Sequence, residues 1–566
     1  MCVCVSAMNL GRFSESPCAR CALCRYVTDD SGGCAKVEGA HSQLELTSAS
    51  VSGCVADGPP VSAYLSSVYS AAPVEPGGGG GLAAVDGGHL ELTDTSVTNC
   101  TVGNQGAALL VSGAGSTAVL TRVAVRYNHA GTNAAVAAIL GGSISLVGGE
   151  ISLNSAGDPA KQVTQPEYGT PLSSGLLAFV NAAVYADGTT ISRNKNSGTG
   201  GAATAWSGHM ELTNLAMRDN TGDTHIGCVG YVASTGMMDS VELDGCWTPG
   251  TAGALCVYAS PVNVANTEVK NSHAGLGGGA WYDTNPPCSL YNVKFDNCDA
   301  SNGGALKMSA GVYTLESVKV SNSRATVGGG LSLSSPTALK SVVIEQCTAT
   351  DGGGGMYVTP GAEVTGTVSI SGSRTLGEGA SGGCMAATGG TTTLTSGTSM
   401  SGCESRLGGL VAVSGPSVLH VSGATLSGGL AGVSGGCVHG KGSGSATFTQ
   451  TTFDNCEAIN TGAGFMYEGE EQLTFDECEF SNILSTTAHG GMGFMSSGAV
   501  TVRRSIQHDG NARAGAACVD LVGGQLLIES SSLRNAHSSM ADTIGSGHGG
   551  CLWARGGVVE VSSPRH

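Results

Sequence analysis

Along most of the chain, apolar and polar residues alternate over short runs. Leu306-Lys307-Met308, Val318-Lys319-Val320 and Leu331-Ser332-Leu333 are examples. A period of two puts successive side chains on opposite faces of a strand. No segment sustains a helical period, and glycine recurs too often for helices to survive. The pattern predicts short strands joined by tight turns.

The runs belong to a repeat. From Leu290 the chain reads LYNVKFDNCDASNGGALKM, from Leu315 LESVKVSNSRATVGGGLSL, and from Leu339 LKSVVIEQCTATDGGGGMYV. Three apolar columns align: Leu290, Leu315, Leu339; Val293, Val318, Val342; and Phe295, Val320, Ile344. A small polar column follows at Cys298, Ser323 and Cys347, then Ala300, Ala325 and Ala349, then a glycine pair. Upstream the small polar column runs through Cys54, Cys100, Asn128, Asn154, Asn194, Asn220, Cys246 and Ser272; downstream it continues through Ser373, Cys403 and Cys456.

A period of roughly 25–26 residues lies in the solenoid range. Such a repeat holds three short strands and three turns, each strand pairing in parallel with its equivalent one coil away. The fold class predicted is all-β: a single-stranded right-handed parallel β-helix of roughly 18–20 coils. The glycine pairs, such as Gly303-Gly304 and Gly435-Gly436, suit tight corners that need positive φ. The small polar column suits an inward stack at a bend, where side-chain amides or thiols align coil over coil.

The phase breaks near residues 57–81 and 157–175, which are rich in Pro and, in the first case, Gly. Both read as loops protruding from a turn, because the repeat resumes after each. Thr375–Ser381 and Ser538–Gly547 read as smaller insertions. Residues 1–34 do not fit the repeat and form a separate Cys-rich segment; residues 35–566 form the β-helix.

The Gly-Gly-Ala-apolar turns (Gly303 to Leu306, Gly278 to Trp281) and the apolar-x-x-Asn signature (Val125 to Asn128, Ile151 to Asn154, Ile191 to Asn194) resemble the repeats of chlamydial polymorphic outer-membrane proteins. More broadly they resemble right-handed, pectin-lyase-like β-helix proteins. The resemblance covers nearly the whole chain after residue 35. It implies an adhesin-like rod, secreted or displayed on a cell surface. Two departures stand out: Cys often replaces the Asn, and no β-barrel translocator follows.

Composition narrows the function. Gly is 91 of 566 residues, charged residues are 12 % and aromatics 5 %, while 41 % hydrophobic residues still build a core. Net charge is −18, which disfavours nucleic acid and anionic membranes as partners. No stretch is long and apolar enough to span a bilayer, and the N-terminus shows no secretory signal pattern. The expected location is nonetheless extracellular or at the cell surface.

Of 21 Cys, many fall in two registers. One is the small polar column, to which Cys478 is also assigned; the other follows the glycine pair at Cys384, Cys437 and Cys551. Coil spacing permits a disulfide between stacked Cys, but the first register mostly alternates with Ser, leaving Cys456 with Cys478 as the best neighbouring pair. The column is expected to hold buried free thiols acting as small hydrophobes. Cys2, Cys4, Cys18, Cys21, Cys24 and Cys34 are spaced either for a disulfide module or for zinc or iron–sulfur ligation.

Arg218, Asp244, Lys270 and Asp296 alternate in sign one coil apart and read as a surface ladder of ion pairs. Gly547-His548-Gly549 matches a polygalacturonase tripeptide, but the accompanying acidic and basic signals are absent in order. Trp206, Trp247, Trp281 and Trp553 do not share a column, so a long sugar platform is not expected. Thr391 to Thr395 reads as an isolated threonine run, unrepeated above or below. Asn99-Cys100-Thr101 is a formal glycosylation acceptor, read as part of the inward column and so unmodified. No catalytic, cofactor-binding or metal residue is assigned. The expected function is a non-catalytic structural or adhesive protein presenting loops to a surface ligand, protein or polysaccharide. The alternative is a polysaccharide lyase or glycoside hydrolase of the pectin-lyase-like fold.

Overall fold

The computed structural model describes residues 34–56, 81–103, 106–131, 134–156, 174–197, 200–283, 287–487, 490–512, 516–534, 537–538 and 551–562, with short strands at Ala22–Leu23 and Val27–Thr28. The chain forms two compact units, Met1–Pro286 and Pro287–His566. Each is a right-handed parallel β-helix.

One coil of the first unit shows how sequence becomes structure. Leu82–Val85 forms the first sheet, His89–Thr93 and Ser96–Thr98 the two segments of the second, and Thr101–Val102 the third. In His89–Thr93 the side chains alternate, with Leu90 and Leu92 turned inward and fully buried. Each fully buried side chain of this size contributes about 1.5–3 kcal/mol. The next coil repeats the arrangement in register: Leu90 lies beside Ala118 and Leu92 beside Leu120. Among the described residues the first unit carries nine strands in the first sheet and seven in the third.

The second unit carries ten strands in the first sheet and nine in the third. Its coils are built the same way, with Ser445–Thr449 and Thr452–Asp454 as the two segments of the second sheet. In Thr337–Glu345 and Glu363–Ser371 the segments merge into single nine-residue strands.

Two corners of each coil need the left-handed backbone region. In the coil above they are Asp94 (φ 50°) and Asn99 (φ 54°); in the next they are Arg122 (φ 53°) and Tyr127 (φ 57°). Asn and Asp accept this conformation more readily than Arg or Tyr. The glycine pairs form the corner leading into the first sheet. Gly303 has φ 62°, and a Cβ there would fall on the Leu306 carbonyl; one on Gly304 would fall on the Gly329 carbonyl of the next coil.

The small polar column is a buried stack at the corner between the second and third sheets. The Asn128 amide nitrogen (2.9 Å) and its Nδ2 (3.0 Å) both donate to Asn154 Oδ1, 26 residues on. Asn154 repeats this toward Asn194 across 40 residues, an interval that contains the expected 157–175 loop. Asn194 does so toward Asn220. Each Nδ2 also donates to a backbone carbonyl, as Asn128 does to Val97. The amides therefore satisfy one another in a dry interior, where an unpaired one would cost about 1–3 kcal/mol. In the second unit hydroxyls take the role: the Cys298 and Cys347 amides donate to Ser323 Oγ and Ser373 Oγ, each at 3.3 Å.

The cysteines correct the expectation of free thiols at Cys54, Cys246, Cys403 and Cys456, and meet it at Cys100 and Cys347. Cys34–Cys54, Cys228–Cys246, Cys384–Cys403 and Cys437–Cys456 are disulfides separated by 18 to 20 residues. Each joins the residue at the start of the first sheet to the small polar column of the same coil, crossing its interior. Cys518–Cys551 joins neighbouring coils, the stacked geometry considered from sequence. Cys456 pairs with Cys437, not with Cys478. Cys478 belongs to a different corner, because it follows Glu477 (φ 55°) at the bend within the second sheet. Cys100, Cys256, Cys347 and Cys478 are buried free thiols. Burial pushes the Cys347 thiol up to about 12, so it is unreactive at neutral pH.

The N-terminal segment also departs from expectation. Ala22–Leu23 pairs with Ser50–Val51 and Val27–Thr28 with Val55–Ala56, so these strands extend the sheets. Cys2, Cys4, Cys18, Cys21 and Cys24 lie outside the described residues, as do 57–80 and 157–173 of the two expected loops, 539–547 of the smaller insertion, and His548.

Candidate functional site

The outward face of the second sheet gathers the most chemistry. In the first unit, Ala183, His209 and Thr235 form one outward column; Tyr185, Glu211 and Met237 form the next; Asp187, Thr213 and Asp239 form a third. Strand alternation sets this arrangement, because Val184, Met210 and Met238 occupy the inward positions between them. His209 sits between two partners. Its Nδ1 lies 2.8 Å from Thr235 Oγ1 and its Nε2 lies 2.9 Å from Glu211 Oε1. The Tyr185 ring lies 5.6 Å from the imidazole. A hydroxyl–imidazole–carboxylate chain is the arrangement that moves protons in general acid–base chemistry.

The neighbouring carboxylates are held by amides. Asp187 Oδ1 accepts from Thr213 Oγ1 (3.0 Å) and Asn214 Nδ2 (2.8 Å), and Asp239 Oδ1 accepts from Asn266 Nδ2 (2.8 Å). A related set stands nearer the N-terminus: Glu45 is beside Glu91, and His89 Nδ1 lies 2.6 Å from Thr117 Oγ1. These sets were missed from sequence because the histidines were read as scattered, whereas His89 and His209 occupy the same outward column, four coils apart. The signal available was the recurring HLEL and HMEL motif at His89 and His209.

The predicted charge ladder is present in altered form. Arg218 pairs with Glu242 (2.6 Å), and Lys270 with Glu268 (2.9 Å) and Glu242 (3.7 Å). Arg218 and Lys270 reach Glu242 diagonally from the coils on either side, while Lys270 and Glu268 pair along one strand. Asp244 instead accepts from Asn271 Nδ2, and Asp296 from Ser321 and Asn322. The hydrogen bond from Arg218 holds the Glu242 carboxyl below the usual carboxylate range. These groups are exposed or half-buried at the surface, so each pair contributes about 0–1 kcal/mol.

In the second unit, the threonine run is not isolated. Thr393 lies between Thr365 and His420, and beyond His420 the column continues through Thr447, Thr474 and Thr501. From Thr393 to Thr501 the members stand 27 residues apart, so the repetition is present in the sequence and only His420 interrupts it. Further along, Asp476 is clamped by Arg503 (2.7 Å) and Arg504 (2.6 Å), which hold its carboxyl below the usual range, Arg503 contributing most. An open depression of about 300 Å³ is lined by Gln346, Thr348, Ser373, Arg374 and Glu404.

The tryptophans are dispersed. Trp281 stacks on Tyr258 (6.2 Å), and Trp247 on His273 (6.4 Å). Trp206 is buried and Trp553 lies under Arg555.

The chain matches a family described as "Right handed beta helix region" over residues 436–546. No curated protein matches it. Solved structures with a similar trace include a family PL6 alginate lyase, AlyGC, at 8 % identity, covering 92 % of this chain and all of that one, with a TM-score of 0.19. Another is a family 28 exopolygalacturonase of Yersinia enterocolitica, at 10 % identity, covering 83 % of this chain and 72 % of that one, with a TM-score of 0.14.

Proposed function

We propose that this chain is a non-catalytic structural or adhesive protein, secreted or surface-displayed, whose flat outer strips and loops bind a surface ligand. The observation that carries this reading is how the outward ionic groups are used. Arg218, Glu242, Glu268 and Lys270 pair with one another, and Asp187, Asp239 and Asp476 are tied to amides or guanidiniums of adjacent coils. Groups engaged in this way hold coils together. The five disulfides among the described residues support an oxidising environment, which in most cells means outside the cytosol. Among the described residues no helix is long and apolar enough to cross a membrane.

A second reading, a carbohydrate-active lyase or hydrolase, draws support from Tyr185, His209, Glu211 and Thr235 on one open strip. One experiment separates the two. The purified chain is incubated with alginate, pectin and neutral polysaccharides, with bound polymer and new chain ends both measured. The structural reading expects retention on a polymer or cell surface with no new ends. New ends that vanish in His209→Ala would overturn it in favour of the enzyme.

A further inference from the structure

The triplet Asn99-Cys100-Thr101 was assigned to the inward column from sequence, and the structure places it differently. Only Cys100 points inward, with no exposure. Asn99 is the left-handed corner residue before it, and Asn99 and Thr101 are both exposed. The backbone is secured without the Asn99 side chain: the Asn99 amide donates to the Arg126 carbonyl (3.3 Å) and the Thr101 amide to the Cys54 carbonyl (2.8 Å). The corner also has room. In one adjacent coil the same position is Gly53, where an added Cβ would meet nothing within 4 Å; in the other it is Tyr127, 57 % exposed. This is the one Asn-x-Ser/Thr triplet in the sequence.

We infer that Asn99 is an N-glycosylation site and that its glycan projects from the corner between the second and third sheets of the first unit. This rests on the reading that the chain passes through an oxidising secretory compartment. In the transfer, Asn99 Nδ2 attacks the anomeric carbon of a lipid-diphosphate-linked oligosaccharide. An N–C bond forms, the C–O bond to phosphate breaks, the lipid diphosphate leaves, and Nδ2 gives one proton to a base of the transferase. Transfer occurs on the unfolded chain, so the folded state must leave the modified side chain outside. A left-handed corner does so, because Asn tolerates positive φ and its side chain stays clear of both strands. The buried Cys100 thiol between the two outward residues is not in a disulfide and places no demand on the acceptor.

The test is secretion of the full chain from eukaryotic cells carrying an added leader, followed by enzymatic release of N-glycans and peptide mass analysis. One glycan is expected, and its release converts Asn99 to Asp. Asn99→Gln and Thr101→Ala should each abolish the mobility shift, and Thr101→Ser should keep it. The same digest reports Cys228–Cys246. A secreted chain with that disulfide formed and Asn99 unmodified overturns the site alone. A chain retained in the cell with reduced Cys228 and Cys246 overturns the secretory reading and the site together.

Discussion

The same corner of the coil is built in two ways. Between Asn128 and Asn220 it is a ladder of four buried amides joined by three bonds from coil to coil. Between Cys384 and Cys456 it is held by covalent braces, Cys384–Cys403 and Cys437–Cys456, each closed within one coil. Beside and beyond the second brace the core fills with aromatic rings. Phe448 stacks on Phe475 (5.4 Å), Phe453 on Phe480 (4.6 Å), and Phe465 tilts against Phe475 (5.1 Å). The ladder gains its strength along the axis, from neighbour to neighbour. The braces act across it, fixing a coil's cross-section whatever its neighbours do. One backbone plan thus tolerates two chemistries, provided any polar atoms buried at the corner are satisfied.

Reduction should separate the stretches most. Each brace closes a loop of about 19 residues and contributes about 3 kcal/mol, so losing both costs about 6 kcal/mol. Hydrogen exchange in reductant should show loss of protection at 404–407 and 457–458 while 128–220 keeps more of its own. Equal loss in both would sink the distinction. Next, Phe475→Ala should cost about 4 kcal/mol, because four rings surround the cavity it leaves; thermal unfolding checks this.

Acid should act on the braced stretch before the ladder. His439 is 4 % exposed, and burial, with Lys441 nearby, brings its pKa down to about 4; Glu468 lies 3.7 Å away. A histidine with a depressed folded pKa contributes stability above the unfolded value of about 6.5 and loses it as pH falls toward 4, about 3 kcal/mol in all. Denaturant titration of His439→Gln should be flatter over that window. Amides do not titrate, so the ladder gives no such dependence.

Asn154→Ala should cost about 1–3 kcal/mol, since it strands the buried Asn128 backbone amide, while Asn128 Nδ2 keeps the Val97 carbonyl; Asn154→Ser should recover part, as serine does elsewhere in the column. The smallest effect is expected at Leu153, which holds φ 57°. Leu153→Gly should raise stability by about 0.5 kcal/mol, because relief of the left-handed penalty slightly exceeds the added freedom of the unfolded chain.

The parallel β-helix was legible because alternation and a 25–26 residue period dictate it. The stacking of Asn194 on Asn220 follows from their constant spacing. What was hidden depends on the coil's cross-section. Cys437 and Cys456 were each placed in the right register, yet their pairing needs the distance across one coil, which no spacing along the axis reveals. Parity at the corners was also hidden. A left-handed residue takes up one position without entering the alternation, so Asn99 stands outside the inward column it was read into, and Cys478 follows the left-handed Glu477 at another corner of the coil, five residues before the column position Ile483. The candidate site escaped although His209 and Thr235 stand 26 residues apart, the spacing that also relates Asn194 to Asn220, because the outward polar positions were not aligned column by column.

The within-coil braces have a consequence under tension. A coil pulled from its ends ordinarily releases its whole contour. With Cys384 tied to Cys403, a sequence separation of 19, the chain between them cannot straighten, which withholds about 60 Å of extension at full stretch. Coils bearing such a tie yield little slack when they give way, so a molecule anchored at one end and gripped at the other would lengthen least where it is tied.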